Sequence, residues 1–244
     1  MPLSGALAPV VVALLTGMRI SRVPYASTLP RLVASGTIGQ NIVGGDPVFW
    51  GTGAARTCTP PDGKRRRFRA DGRTRRHIAA CRGPFSAALL SGGTLSATAL
   101  PEFGEPAGII AQFHRPLRPP SYNLGVVLCP EEEATGSTAD ARSCRPRDGL
   151  AHLRIDPAGG GGVRLLSSLV TPDIEGVQAG LDAILSCRRI ASAHPEILAI
   201  AAAYGIPSLP LVEGRSPGLD WVAPEMDGDI DLRIADLFAG LGYP

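Results

Sequence analysis

Apolar residues come in short clusters separated by Gly, Pro and Arg, and the spacing within each cluster predicts an element. The run Ala6 to Leu15 predicts a first helix over about 8–17, beginning near Pro9 and buried in the fold. Arg31 to Gly36 reads as a short strand stopped by glycine, and Asp46 to Trp50 as an apolar strand entering the turn Gly51-Thr52-Gly53. His77 to Cys81 is a further strand, and Pro84 to Leu90 a helix with proline near its first position. The stretch Phe113–Pro120 is a stiff, Pro-rich join, and it divides the chain into a domain over 1–117 and another over 118–244. Beyond it the pattern is most regular. Strands are expected at Asn123–Leu128, Val163–Leu169, Arg189–Ser192 and Ser208–Val212. A helix after Thr171-Pro172-Asp173 carries Ile174, Val177, Leu181, Ile184 and Leu185 at helical spacing, and an Ala-rich helix from Pro195 closes at Gly205. That is a βαβαβ unit. Asp229–Leu241 ends the chain as an amphipathic helix with Ile230, Ile234, Leu237, Phe238 and Leu241 on one side. Short buried strands alternating with helices predict an α/β fold with parallel sheets flanked by helices.

Composition narrows the class. The 244 residues are 44% hydrophobic and 19% charged, enough apolar material for a real core and too much for a disordered chain. Aromatics are only 5%, so Ala, Val, Leu and Ile must build that core. The net charge of +2 gives no global field that marks a nucleic-acid binder. No apolar run reaches the length of a membrane span, and no Lys or Arg precedes the Ala6–Leu15 run as in a signal peptide. Cys58, Cys81, Cys129, Cys144 and Cys187 are odd in number and scattered, without a CxxC, which argues against zinc or a disulfide framework and for a reducing cytoplasm. Residues 131–148 read as a polar loop, and Gly159–Gly162 lacks the spacing of a dinucleotide fingerprint.

Several pieces in order resemble one family. They are Trp50-Gly51-Thr52-Gly53, Arg82-Gly83-Pro84-Phe85-Ser86, Phe103-Gly104-Glu105-Pro106-Ala107, Tyr122-Asn123-Leu124-Gly125, and Ile184 to Ser192 followed by Ala203-Tyr204-Gly205-Ile206-Pro207. The set resembles the polysaccharide pyruvyl transferases, as does Ile234-Ala235-Asp236-Leu237-Phe238 near the end. The resemblance implies two Rossmann-like halves of GT-B-like type with a cleft between them. It also implies transfer of a pyruvyl group from phosphoenolpyruvate onto sugar hydroxyls, forming a ketal. Separately, no cofactor is expected. Two positions depart from the family pattern. Pro2-Leu3-Ser4-Gly5 stands where members carry N-x-G-D, and Glu196 stands where members carry a histidine, with His194 two places earlier. Such departures suggest a member working on a small hydroxylated or anionic molecule, or one repurposed for a lyase, isomerase or cyclase step. A non-catalytic binding protein is a third reading.

The candidate site follows from the same residues. Ser192, His194 and Glu196 lie where a strand gives way to a helix, the edge at which open α/β sheets bind ligands. His194 and Glu196 are the expected acid–base pair, although Ser192 or His194 would serve equally as an ordinary N-cap. Gly51, Thr52 and Gly53 form a turn that permits close backbone approach, or simply a tight turn. Arg82 can grip a carboxylate or phosphate with its planar fork, or make a salt bridge. His114 lies in the join and borders the expected cleft. The run Lys64 to Arg69 with Arg73, Arg75 and Arg76 is the densest charge in the chain; it could steer an anionic substrate or touch nucleic acid, and a solvated basic loop is the better reading. The expected partner is a small molecule, with no nucleic acid and no membrane; a homo-oligomer is left open.

Overall fold

The computed structural model describes residues 1–58, 66–94, 100–116, 118–128, 162–211, 226–227 and 230–243. In chain order these form α1 (Leu3–Thr16), β1 (Arg31–Ala34), β2 (Pro47–Trp50), β3 (Thr57–Cys58), β4 (Arg66–Arg67), β5 (His77–Ile78), β6 (Ala80–Cys81), α2 (Pro84–Leu90) and β7 (Glu102–Phe103). There follow β8 (Leu124–Leu128), β9 (Val163–Ser167), α3 (Ile174–Leu185), β10 (Ile190–Ser192), α4 (Pro195–Ala203), β11 (Ser208–Pro210), β12 (Met226–Asp227), β13 (Ile230–Asp231) and α5 (Leu232–Gly240). The architecture is mixed α/β, with parallel sheets flanked by helices.

Two compact units emerge, and the chain ends are exchanged between them. Unit 1 comprises 1–18 and 107–211; unit 2 comprises 19–106 and 212–244. The division within the chain therefore falls at 106/107, ahead of the Pro-rich stretch expected to mark it. The exchange has a packing cause in each unit: α1 packs on α3, and α5 packs on α2.

Unit 1 is built on a four-stranded sheet in the order β11-β10-β8-β9. Every pairing in it is parallel, with Ile190–Ser192 aligned on Gly125–Val127 and Leu124–Leu128 on Val163–Ser167. Asp173 caps α3 by accepting from Gly176 N, and Val177, Leu181, Ile184 and Leu185 turn inward. Ile174, the first residue of the helix, stays exposed. The first helix departs from expectation. It starts at Leu3 and holds Pro9 inside it. An interior proline costs about 3 kcal/mol. Leu3, Leu7 and Val11 are each at most 2% exposed, and burying such side chains is worth about 1.5–3 kcal/mol apiece, so the apolar stripe outweighs the proline.

Unit 2 has shorter strands. Its main sheet runs β1-β2-β5, with Leu32 aligned on Val48 and Val48 on His77. The single strand expected over 77–81 is broken at Ala79, whose N–H bonds to Phe49 O; β6 then leaves to pair with β7. Val33, Ile42, Phe49, Ala54, Cys81, Ala87 and Leu90 make the core. The last helix also differs from its expected stripe. Ile234 and Leu237 are buried, but Ile230 precedes the helix and is exposed, while Asp236 turns inward.

Candidate functional site

The expected site residues gather into three groups. The first is in unit 2. Gly51 has φ +73°, and a Cβ there would lie 2.1 Å from Pro106 Cδ, so both conformation and space demand glycine. Thr52 is fully buried, and its hydroxyl donates to Val33 O. Gly53 leaves room for Arg82, since a Cβ would lie 2.5 Å from the guanidinium Nη1. Arg82 itself is 1% exposed. Its Nε and Nη2 both donate to Glu105 Oε2 at 2.9 Å, and its Nη1 donates to Thr37 Oγ1 at 2.6 Å. The Gly-Thr-Gly turn and Arg82 are thus brought together, and the turn is wrapped around the protein's own guanidinium. Arg82 was expected either to grip a ligand carboxylate or phosphate or to make a surface salt bridge; it makes a salt bridge, buried, with Glu105.

Asp236 extends this buried network. Helix α2 has no side-chain cap of its own, because Gly83 stands at its N-cap. Asp236 Oδ1 supplies one from α5, accepting from Phe85 N at 2.8 Å and Ser86 N at 3.1 Å, while Oδ2 meets Ser86 Oγ. Gly83 is dictated by the same contact, since a Cβ would lie 1.9 Å from Asp236 O. Burial pushes the Asp236 carboxyl above the usual carboxylate range, against the pull of Ser86, Phe85 and Arg82. Burial, with Asp236 adding to it, also pushes the Cys81 thiol up to about 12. Glu105, Thr37, Ser86 and Asp236 were not foreseen as parts of the network. An arginine buried this deeply requires a carboxylate partner, but its burial is visible only in the structure.

The second group is the turn from β10 into α4, in unit 1. Ser192 is fully buried; its Oγ accepts from His194 N at 3.1 Å and donates to Val127 O at 3.4 Å across the sheet. His194 occupies the N-cap of α4 without capping it through its side chain; its carbonyl accepts from Ile197 N and Leu198 N. The residue as a whole is half-buried, and its ring Nε2 is buried. Glu196, in the first turn of the helix, is only 5% exposed. A carboxylate there is favoured by the positive end of the helix dipole. The position in the sheet is distinctive. From β8 the chain goes to β9 on one side and then to β10 on the other, so the reversal falls between β8 and β10. Ser192 ends β10 at that reversal.

The third group is His114, and it is not with the second. His114 Nε2 meets Asp182 Oδ1 at 2.9 Å, and its carbonyl accepts from Tyr204 Oη at 2.9 Å. Tyr204 caps the far end of α4, so nine residues, roughly 13 Å of helix, separate this cluster from His194. Burial, with a contribution from Asp182, pushes the Tyr204 phenol up to about 12. The arrangement fastens residue 114 to α3 and α4.

The remaining expectations divide simply. Among the described residues no group of three or more His, Cys, Asp or Glu is arranged to hold a metal ion. Cys58, Cys81 and Cys187 are free thiols. No helix among the described residues is long and apolar enough to cross a membrane. Lys64, Arg65, Cys129, Cys144, the 131–148 loop and Gly159–Gly161 lie outside the described residues. No protein-family model, no curated protein and no solved structure matches the chain.

Proposed function

We propose that this chain is a transferase of the pyruvyl transferase type, acting on a small hydroxylated or anionic molecule, with His194 and Glu196 as its acid–base pair. One observation supports this above the others: the 192–196 turn leaves β10 beside the point where the strand order of its sheet reverses. In open parallel sheets ligands bind outside the carboxyl ends of the strands at such a reversal. The reading includes a cytoplasmic enzyme of two Rossmann-like halves in a GT-B-like fold.

The resemblance supplies the reaction. The methylene carbon of phosphoenolpyruvate takes a proton, an acceptor hydroxyl adds to the neighbouring carbon and gives up its own proton, and the carbon–oxygen bond to phosphate breaks. A second hydroxyl of the acceptor then adds to the same carbon and gives its proton to the departing phosphate, which closes the ketal. The protein must supply one acid, one base and a positive environment for the donor. His194 and Glu196 are of the right types for the first two. The N-terminal turn of α4 supplies partial positive charge.

The test is phosphate release from phosphoenolpyruvate with a panel of sugars and small polyols. Release that depends on the acceptor is expected. Separate His194→Gln and Glu196→Gln variants should lower it by about 10²–10⁴-fold at an unchanged melting temperature. Absence of both acceptor-dependent phosphate and saturable phosphoenolpyruvate binding overturns the reading. A second reading, a non-transfer step of lyase, isomerase or cyclase type on the same turn, is favoured by one finding: Arg82, the cation expected for the donor, is engaged by Glu105 and Thr37. Under it the same two variants lose activity on a non-phosphorylated substrate, and phosphoenolpyruvate does not compete.

A further inference from the structure

We propose that the N-terminal end of α1, in unit 1, is a binding site for a phosphoryl group, with the Ser168 hydroxyl as its floor. The site stands apart from the reaction proposed above and uses none of the side chains assigned to it. A buried hydroxyl marks the place. Ser168 is 3% exposed, and its Oγ has no hydrogen-bond partner among the described residues. Leaving a buried hydroxyl unsatisfied is costly, and folded proteins pair nearly all of their buried polar atoms. Its neighbour shows the ordinary outcome: Ser167 Oγ accepts from Leu169 N at 2.9 Å. Ser168 is also the first residue after β9, so it stands at the carboxyl end of a parallel strand, the side of an open α/β sheet on which ligands bind.

Backbone pairing sets that hydroxyl against the helix end. Met1 and Val170 exchange N–H···O bonds at 2.8 Å, Pro2 bridges Leu169 in the antiparallel sense, and Leu3 N donates to Ser168 O at 2.8 Å. Leu3 is therefore opposite Ser168, and opposed residues of an antiparallel pair put their side chains on the same face. Ser168 Oγ thus leaves the backbone beside the first turn of α1. That turn is open. Leu3 N is spent on Ser168 O and Ala6 N on Pro2 O, while Ser4 N and Ser4 Oγ have no partner among the described residues. The helix has no side-chain cap and no acidic residue in its first turn. Ser4 is part-exposed and Gly5 exposed, and a Cβ built on Gly5 meets nothing within 4 Å, so solvent reaches the turn. An open helix end is ordinary; a buried, unsatisfied hydroxyl beside it is not.

The donors select the ligand. Ser4 N, Ser4 Oγ and Ser168 Oγ offer three protons at the positive end of a 14-residue helix. Backbone N–H and hydroxyl donors at a helix start suit an oxyanion. A phosphoryl group presents three terminal oxygens, one for each donor. A carboxylate presents two, and would leave one donor unmatched. The ligand is therefore inorganic phosphate or the phosphoryl end of a small phosphate ester.

Calorimetric titration of the full chain with inorganic phosphate at constant ionic strength tests this. We expect saturable one-to-one binding with a Kd at or below about 1 mM. Ser168→Ala should weaken it about 10–100-fold, the worth of one hydrogen bond to a charged group, without lowering the melting temperature. Gly5→Glu puts a carboxylate on the open turn and should abolish binding, whereas Gly5→Ala should keep it; both fit the space and favour the helix. Glycerol phosphate that binds with the same dependence on Ser168 makes the ligand an ester; phosphate binding without it makes the ligand the free ion, and either supports the site. Acetate binding as well as phosphate overturns the phosphoryl assignment. No saturable phosphate binding overturns the site, as does binding that Ser168→Ala and Gly5→Glu leave unchanged. A melting temperature lowered by Ser168→Ala overturns it too, since the hydroxyl then serves the fold. Phosphate binding weakened instead by His194→Gln or Glu196→Gln overturns it and assigns the anion to the β10–α4 turn of the reaction proposed above.

Discussion

In unit 1 the four-stranded sheet and its helices enclose an apolar interior in which Val127, Leu166, Leu181, Ile184, Ile190 and Ile200 are all buried. Polar side chains such as Ser192 and Glu196 enter it where a strand ends and a helix begins. Unit 2 is organised otherwise. Its strands are two to four residues long, and its apolar core is ringed by Thr52, Arg82, Ser86, Glu105 and Asp236, every one buried. Strands that short bury little area, so loops are clamped together by charge and hydrogen bonds instead. Burial of area is forgiving of small changes in geometry. A buried ion pair is not, because its charges repay their desolvation only while both partners are in place.

The sharpest way to break this contrast is to remove one partner of the ion pair. Glu105→Ala leaves the Arg82 guanidinium buried beside Thr37 without its carboxylate, and should cost about 4 kcal/mol in urea unfolding. Arg82→Met combined with Glu105→Leu should recover most of that loss, since replacing a whole buried pair by apolar groups is often neutral. If Glu105→Ala behaves like a surface substitution, the clamp is not what holds unit 2. In unit 1 the equivalent strike is against area. Leu181→Ala, at a side chain 1% exposed, should cost about 3 kcal/mol, with the cavity left behind setting the exact loss. Hydrogen exchange in the β2 and β10 peptides shows which sheet each substitution loosens.

The same contrast explains what was legible in the sequence. Periodicity reports burial of area, so α3, α4 and the strands β8 to β11 could be read from Val177, Leu181, Ile184 and the Ala-rich run before Gly205. Pairing at a distance has no period. The sequence shows a cation at Arg82 but not that Glu105, 23 residues on, faces it, nor that Asp236, 150 residues beyond Ser86, caps the helix holding it. Helix α1 was misread at its start because proline is a strong local signal and the tertiary burial of Leu3 and Leu7 is not local. For the candidate site, the Ser192–Glu196 turn could be placed because a strand-to-helix change is a local event. His114 could not, because its partners Asp182 and Tyr204 are fixed by how α3 and α4 pack.

The mildest probe of the clamp changes one atom. Asp236→Asn keeps an oxygen for Phe85 N and Ser86 N and turns the other arm into a donor toward Ser86 Oγ, so the cap survives and the ionisable group is gone. The sign of the effect with pH follows from the raised carboxyl pKa. A carboxyl that holds its proton more tightly in the folded protein contributes stability that is complete below the unfolded value of about 3.9 and fades as pH rises through the folded value. Wild type should therefore lose stability relative to Asp236→Asn as pH is raised from the ordinary carboxylate range toward neutrality, with the variant at least as stable at pH 7. Urea midpoints measured across that range decide it. A wild-type protein that gains on the variant as pH rises would mean that the backbone amides and Arg82 outweigh burial, and that Asp236 serves the clamp as an anion.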